Sequence, residues 1–597
     1  MRKQPSGPAL AARDARPLRV RRVPDARRQH GAVAVLAAIW LSIAIAALGA
    51  IDVGNVYFAR RQLQRTADLA AMAGVQVIGS SGGCASATTA AQQNASANGF
   101  TAGANTTIST TCGRWDTSTS TYFGTSGNPL NAVQVQTTQT VPYFFLGPTR
   151  NITATATAFA SNIDAFSLGT GIATINTQQS ALLNAILGGL LGTSVSLSVG
   201  DTQSLATAHI KLKDLMVALG ASTMQGLLGT TVSFQSLMLA MVSALQAGGD
   251  TINAAILQKV AVAIPGGQNI TVGDGGPSAP GLLALGLANP NAATTATINA
   301  FDALMVAAQI AQRSPDGTQG NAPVINVSAG LQGVAGISLQ IIHPPVLAVG
   351  EGGTLPNGTY RTTARTAVVN ATVNLLPVTF TPISLNLLIG SINIAALSTP
   401  MTLVLTSAQG TATLNPVDCE STKAATSATI QIQPSIATVC VGANASCGGQ
   451  VNVADVTVWT LLTGTIELTK IALNGTGQLQ LAPPSPQPVT FNGASGSFDA
   501  SATVNSNAVG SDASTLTAQL LNALPNTLQV TVAGLDLTTV IKPLLAALAP
   551  VLSAALQPVF ALLDAVLVPT LSLLGVQVGT ATVHNMSLTC GVSQLVN

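Results

Sequence analysis

The hydrophobic and polar positions divide this chain into one long apolar run near its start and many shorter patterned segments after it. Residues 32–51 are twenty residues without a charged side chain or a proline. At about 1.5 Å of rise per residue, a helix of this length spans about 30 Å, the thickness of a bilayer's hydrocarbon core. The run therefore predicts a transmembrane helix over residues 30–51.

Helical periodicity continues beyond the apolar run, over residues 52–78. Apolar and small side chains recur there at spacings that place them on one helix face. We call these positions the seam: Val56, Leu63, Ala67, Ala70 and Gly74. Because alanine and glycine let two helix backbones approach closely, the seam predicts a partner helix, which includes a second copy of the chain. The alternative is an amphipathic helix that lies on the membrane surface without a partner.

Charge is concentrated on both sides of the apolar run, although only 7% of the chain is charged. Residues 1–29 carry nine basic and two acidic side chains, and Arg60, Arg61 and Arg65 follow the run. Since basic segments tend to stay in the cytoplasm, this asymmetry places the N-terminus inside the cell and residues after 51 outside. A cleaved signal peptide is the alternative, although both the basic segment and the apolar run are longer than is usual for one.

The stretch HGAVAVLAAIWLSIAIAALGAIDVGNVYFARRQLQRTADLAAMAG, residues 30–74, resembles the N-terminal segment of TadE/TadG-like proteins of the bacterial tight-adherence (Flp) pilus system. The likeness rests on a glycine that leads the helix, an Asp-x-Gly, a tyrosine, a basic pair, a Leu-Gln and an Ala-rich end. The matching positions include Gly31, Asp52, Gly54, Tyr57, Arg60, Arg61, Leu63, Gln64 and Asp68. Residues 113–160 also resemble the region that follows in the larger, TadG-type proteins.

The resemblance implies a protein of the bacterial inner membrane with a cytoplasmic N-terminus and a periplasmic bulk. Such a protein assembles or anchors Flp pili together with other envelope proteins and is not an enzyme. Pilins of this system are cut after a glycine and carry a glutamate at the fifth mature position, whereas the fifth residue after Gly31 is Leu36. An uncleaved anchor is therefore favoured over a fibre subunit. The alternative function is a surface adhesin or matrix-binding protein with Thr-rich β modules.

All six cysteines follow the predicted membrane helix: Cys84, Cys112, Cys419, Cys440, Cys447 and Cys590. An even number of cysteines in an oxidising compartment indicates disulfides. Cys84 and Cys112 are the best candidate pair, because the other four lie far along the chain. The pairing of those four stays open.

The patterns predict an α+β protein, in which the transmembrane helix continues into a juxtamembrane helix and a large β-rich exterior region with short helices follows. Strands are indicated by alternation, as at 367–375, where Val369, Ala371 and Val373 share one face. A helix is expected near 85–97, with strands near 131–139 and 151–159. The predicted units are a basic cytoplasmic tail (1–29), the anchor (30–51), a juxtamembrane amphipathic helix (52–78), a small α/β module (79–162), a mixed helix/strand region (163–315), and a β-rich region (316–597) with proline-broken apolar helices near 537–574.

The sequence contains little that indicates chemistry. Asp116, Ser118 and Ser120 have the spacing of a von Willebrand A metal site, but the polar TTCGR precedes them where that site needs an apolar strand, so we reject it. No nucleophile motif surrounds a serine that would act with His209 or His584. No catalytic residue, metal or cofactor is predicted. A nucleic-acid partner is not expected either, because no basic patch is interleaved with aromatic residues.

Overall fold

The structure is a computed structural model that describes most, but not all, of the chain. The described residues are 30–117, 121–145, 147–169, 177–264, 268–312, 324–327, 334–375, 383–387, 390–396, 401–435, 437–442, 450–460, 464–474, 479–480, 485–505, 528–532, 535–536, 570–576 and 580–596. Helices and strands are both abundant in them, and the α+β prediction is confirmed.

One helix covers both the predicted anchor and the predicted juxtamembrane helix. Helix α1 begins at His30 and ends at Gln76, a length of 47 residues. It is uninterrupted because the sequence between these residues contains no proline and is rich in alanine and leucine, which favour helix. The N-terminal module continues with α2 (Gly83–Ala97), β1 (Thr106–Trp115), β2 (Phe123–Gly124), β3 (Ala132–Val141) and β4 (Arg150–Leu168).

Strand β4 is longer than the sequence predicts and joins two parts of the molecule. Its first half pairs with β3, from Val141 opposite Arg150 to Ala132 opposite Phe159. Side chains alternate between exposed and buried there, and from Ala156 onward nearly every position is buried. Because both faces are covered in the second half, alternation disappears from the sequence and the end of the strand cannot be predicted from it. The expected domain boundary at 162/163 falls inside β4.

The next region is mainly helical. Its core includes Phe234 and Phe301, and helix α9, which is apolar except for Asp302 and Gln309, is buried at every position. The elements are α3 (Thr177–Leu191), α4 (Val199–Ala206), β5 (His209–Lys211), α5 (Leu212–Ala218), α6 (Met224–Leu228), β6 (Thr231–Ser233), α7 (Phe234–Ala247), α8 (Thr251–Ala263), β7 (Asn269–Thr271), β8 (Leu283–Gly286), a 3-10 helix (Pro290–Thr295), β9 (Thr297–Asn299) and α9 (Ala300–Ala311).

The described part of the remaining chain consists almost entirely of strands. They are β10 (Val324–Val327), β11 (Val334–His343), β12 (Leu347–Gly350), β13 (Thr363–Arg365), β14 (Val368–Leu375), β15 (Ile383–Leu387), β16 (Gly390–Ala396), β17 (Met401–Ser407), β18 (Thr411–Leu414), β19 (Ser427–Gln433), β20 (Ala437–Gly442), β21 (Gln450–Thr460), β22 (Gly464–Asn474), β23 (Leu479–Gln480), β24 (Gln487–Asn492), β25 (Ala500–Asn505), β26 (Leu528–Val532), β27 (Leu535–Asp536) and β28 (Thr580–Val596). Val369, Ala371 and Val373 of β14 are fully buried, as their alternation predicts. Most of the segment expected to form proline-broken helices, residues 537–569, lies outside the described residues.

Four larger sheets organise the strands within the described ranges. The first has the order β2-β1-β3-β4-β12-β8, and β28 pairs with both β4 and β25 in the same sheet. The others have the orders β10-β11-β14-β17-β20-β23, β13-β18-β19-β24 and β15-β16-β21-β22-β26-β27. The first sheet therefore contains strands from the N-terminal module, the middle of the chain and its end, and α1 packs on its β3 and β4.

Candidate functional site where the two halves of helix α1 meet

The first half of α1 is apolar and exposed. Within the described residues, it is the one helix long and apolar enough to cross a membrane, with a mean hydropathy of 2.5 over its apolar window, none of which is buried. Trp40, in this half, is 67% exposed. A helix that presents apolar side chains on every side needs an apolar surrounding. A membrane anchor and a signal sequence both meet this description.

The second half of α1 is built into the chain's own fold. Leu63 is 1% exposed and packs with Val141 and Ile152 of β3 and β4. Thr137 donates from its hydroxyl to the Leu63 carbonyl at 3.2 Å. At the end of the helix, a Cβ placed on Gly74 would lie 2.9 Å from the Ala87 carbonyl oxygen of α2. Small residues thus let α1 lie close to the sheet and to α2.

The seam packs inside the chain's own fold. Ala67, Ala70 and Gly74 are buried, and Ala67 and Ala70 belong to one apolar cluster with the sheet. The seam therefore contacts helix α2 as well as strands of the same chain, and a partner helix from a second copy stays a prediction. Val56 is half-buried and the other four seam positions are buried. Sequence periodicity alone does not distinguish an internal partner from an external one.

Asp52 lies at the boundary between the two halves of α1 and binds a loop from elsewhere in the chain. Its carboxylate is 1% exposed and accepts hydrogen bonds from the backbone N–H groups of Phe144, at 2.7 Å, and Phe145, at 3.1 Å. Asn55, one turn later, donates to the Pro142 carbonyl at 3.4 Å. Hydrogen bonds to a carboxylate are stronger than those between neutral groups. The loop between β3 and β4 is thereby fixed beside the end of the apolar run.

Four aromatic side chains surround this point, and we call them the aromatic collar: Tyr57, Phe58, Phe144 and Phe145. The two on α1 are 68% and 69% exposed, and the two on the loop are 61% and 53% exposed. The centroids of the Phe144 and Phe145 rings are 6.3 Å apart. Such exposure stands out because only 3% of the chain is aromatic. Sequence patterns assign no role to the two phenylalanines, although VPYFF between two predicted strands is a signal that could have found them.

A group of polar side chains follows the collar on α1. Arg60, Arg61 and Arg65 are exposed. Gln64 donates from its amide nitrogen to Asp68 at 2.8 Å and to the Thr155 carbonyl of β4 at 3.1 Å. Most of the predicted family positions on α1 therefore have a place at this site, either in the collar, among these cations, or in contacts with the sheet. Gly31 and Gly54 face open space instead.

Asp116, the acidic residue of the rejected metal pattern, lies near two arginines. Its carboxylate is 3.8 Å from Arg114 Nε and 3.8 Å from Arg361 Nη1. Arg114 also forms a buried ion pair with Glu351 at 2.6 Å. Ser118 and Ser120 lie outside the described residues. Among the described residues, no three His, Cys, Asp or Glu side chains form a group that could hold a metal ion.

A second buried ionic group joins β28 to the helical region. His584 donates from Nδ1 to Asp302 at 2.9 Å and from Nε2 to Asp499 at 2.7 Å. Burial acts to lower the pKa of His584, but the bonds to the two carboxylates outweigh it and raise the pKa to about 10. Ser167 donates its hydroxyl to Asp302 and not to an imidazole. Since both ring nitrogens of His584 are occupied by carboxylates, the group is arranged as an ionic cross-link and not as a Ser-His-Asp triad.

Two disulfides connect described residues. Cys84 and Cys112 are joined with a Cα–Cα distance of 5.8 Å, the pair that the sequence favours, and Cys419 and Cys590 are joined at 5.9 Å. Cys440 is also disulfide-bonded. Cys447 lies outside the described residues.

The second disulfide lies beside the end of α1. The Cys419 N–H donates to the Gly79 carbonyl at 2.8 Å, and the Ser81 hydroxyl donates to Glu420 at 2.6 Å. The turn that follows α1 is therefore bound to a strand-rich segment more than half the chain away.

Three protein-family models match parts of the chain. Residues 31–77 match a family described as putative Flp pilus-assembly TadE/G-like, and residues 72–158 match one described as putative Tad-like Flp pilus-assembly. Residues 179–309, which extend from the first turn of α3 into the last turn of α9, match a domain of unknown function, DUF8293. Searches of curated proteins and of solved structures gave no significant match. The first two matches together cover α1, the collar, and β3 and the first part of β4, on which α1 packs.

Proposed function

Because this chain belongs to the TadE/TadG-like family of Flp pilus-assembly proteins, we propose that it is a TadG-type component of the machinery that assembles or anchors the pilus. In this proposal α1 anchors the chain in the bacterial inner membrane, and the region after residue 51 lies in the periplasm. The role is non-enzymatic: the folded body holds other envelope components in position while the pilus is built or retained.

The observation that carries the proposal is the division of α1 into two halves with opposite surroundings. Its first half is exposed and apolar, and its second half packs on β3, β4 and α2. Since no break separates the halves, the position of the body relative to the membrane is fixed by the helix itself. A rigid connection of this kind suits an assembly factor better than a protein that must reach freely beyond the cell.

The distribution of charge supports the orientation. Nine basic residues precede the apolar run, whereas three arginines follow it closely on α1: Arg60, Arg61 and Arg65. The larger basic segment is expected to remain in the cytoplasm. The disulfides Cys84–Cys112 and Cys419–Cys590 then lie in the periplasm, an oxidising compartment in which they persist.

Deletion of the gene, followed by electron microscopy of surface pili, tests the proposal. Pili should be lost and should return when the full chain is supplied from a second copy. If pili stay normal while adherence falls, the chain is an adhesin and the proposal is wrong. Protease added to intact cells provides a second measure, because it should cleave an adhesin on the cell surface and leave a periplasmic assembly factor intact.

A further inference from the structure

We propose that Phe144 and Phe145 insert into the headgroup region of the phospholipid bilayer, so that the β3–β4 loop forms a second membrane contact beside α1. This inference rests on the membrane anchoring of α1 proposed above. It assigns a function to an exposed loop that the anchoring alone does not require.

The β3–β4 loop lies beside the end of the apolar run of α1. The apolar run ends at Ile51, and the next residue, Asp52, binds the backbone N–H groups of both phenylalanines. The loop backbone therefore lies at the level where α1 leaves the hydrocarbon core. Any tilt of the helix moves both together, since the two hydrogen bonds tie them.

The exposed rings and the paired N–H groups of the loop suit a membrane interface. Phe144 and Phe145 are 61% and 53% exposed, and exposing two adjacent aromatic rings to water is unfavourable. Their N–H groups already have Asp52 as an acceptor, which removes the main cost of placing a loop near a bilayer, an unpaired backbone donor. Phenylalanine is common on the apolar face of segments that lie in the membrane interface, and tyrosine, the residue type of Tyr57 in the collar, is enriched at that depth.

Phe144 and Phe145 belong to a larger set of exposed aromatic and basic side chains around the end of the apolar run. Tyr57 and Phe58 of α1 are equally exposed, so the collar includes aromatic side chains from both chain segments. Exposed cations flank it, with Arg60 and Arg61 on α1 and Arg150 at the start of β4. Arginine side chains next to an aromatic belt reach the lipid phosphates. This combination fits a phospholipid surface better than an apolar groove of a partner protein.

Fluorine NMR of the full chain in lipid nanodiscs tests the proposal. A trifluoromethyl-phenylalanine is introduced at one position at a time: 144, 145, 40 within the apolar run, and 122, an exposed tyrosine in the hairpin between β1 and β2. The nanodiscs contain phosphatidylcholine and phosphatidylglycerol. Broadening is measured once with a nitroxide-labelled lipid and once with a soluble gadolinium chelate.

The expected result is that labels at 144 and 145 broaden with the nitroxide lipid and are protected from the chelate, while the label at 122 shows the reverse. If 40 contacts lipid but 144 and 145 behave like 122, the loop lies in water and the inference is overturned, although the anchoring stands. If 40 also fails to contact lipid, the anchoring itself is wrong and the inference falls with it.

Discussion

Asp52 is the residue that most directly holds the β3–β4 loop beside the end of the apolar run of α1. A charged side chain at the end of an apolar run is costly unless it has partners, and here it has two backbone N–H groups from a distant loop. A sequence pattern shows that an acid is present but cannot show which loop it binds, since β3 and β4 must first fold to bring Phe144 and Phe145 near.

We expect Asp52→Asn to loosen the β3–β4 loop without unfolding the body. An amide has one acceptor oxygen where the carboxylate has two, so one loop N–H loses its partner, at a cost of about 1–3 kcal/mol. Hydrogen exchange at Phe144 and Phe145 should accelerate by about tenfold or more. Asp68→Asn is the control, because Asp68 accepts from a side chain and not from the loop. Unchanged exchange in Asp52→Asn would contradict this role.

His584 gives the stability of the body a defined pH dependence. Its pKa is raised from 6.5 to about 10 in the folded chain. Its contribution to the free energy of unfolding is therefore complete below pH 6.5 and is lost as the pH rises toward 10. Burial acts to raise the pKa of Asp499, but its bonds to His209 and His584 outweigh this and lower it. The contribution of Asp499 to the free energy of unfolding is therefore present above pH 3.8 and is lost in stronger acid.

The His584→Gln variant should therefore unfold at a lower temperature than the wild type, by an amount that depends on pH. The difference in Tm should be largest between about pH 4 and 6.5 and should shrink as the pH is raised to about 9. Thermal unfolding of both proteins across this range measures it. A difference in Tm that does not change with pH would show that His584 acts through packing alone.

At the scale of elements, α1 shows what periodicity can and cannot predict. The spacing of the seam places its residues on one helix face, and the continuous helix follows from a run without proline. The partner of that face could not be read from the sequence, because small residues suit packing on a helix and on a sheet equally. Strand β4 shows the same limit, since its doubly covered second half has no alternation to read.

Two glycines of α1 provide a matched test of this packing. Gly74→Ala places a methyl group 2.9 Å from the Ala87 carbonyl oxygen and 3.2 Å from Val133 Cγ1, so α2 or β3 must move. We expect a loss of about 1–3 kcal/mol in unfolding free energy. Gly54→Ala, which meets nothing within 4 Å, should be stabilising by about 0.5–1 kcal/mol because alanine favours helix. Denaturant unfolding compares them, and equal effects would refute close packing at Gly74.

At the scale of the whole molecule, contacts between distant segments determine the architecture. Strand β28, near the end of the chain, pairs with β4, and the Cys419–Cys590 disulfide lies beside the turn after α1. The class of fold was predictable from local patterns. The pairing of β28 with β4 was not, because any of many similar Thr- and Val-rich strands could occupy that edge.

The two disulfides should differ in their effect on stability. Cys84 and Cys112 are 28 residues apart, and Cys419 and Cys590 are 171 apart. A longer closed loop restricts the unfolded chain more, which gives about 3–4 kcal/mol for the first and about 5 kcal/mol for the second. Paired Cys→Ser variants, compared by denaturant unfolding, check the order. If the shorter loop proved the more stabilising, loop entropy would not be the main contribution.

We infer that the folded body acts only when α1 fixes it at the membrane. The most direct test replaces residues 1–51 with a cleavable signal peptide in the deletion strain, so that the folded body is free in the periplasm, and counts surface pili by electron microscopy. The account predicts normal levels of disulfide-bonded protein in the periplasm but no pili, whereas the full chain restores them. Normal pili with the released body would show that the anchor serves export alone and would contradict the account.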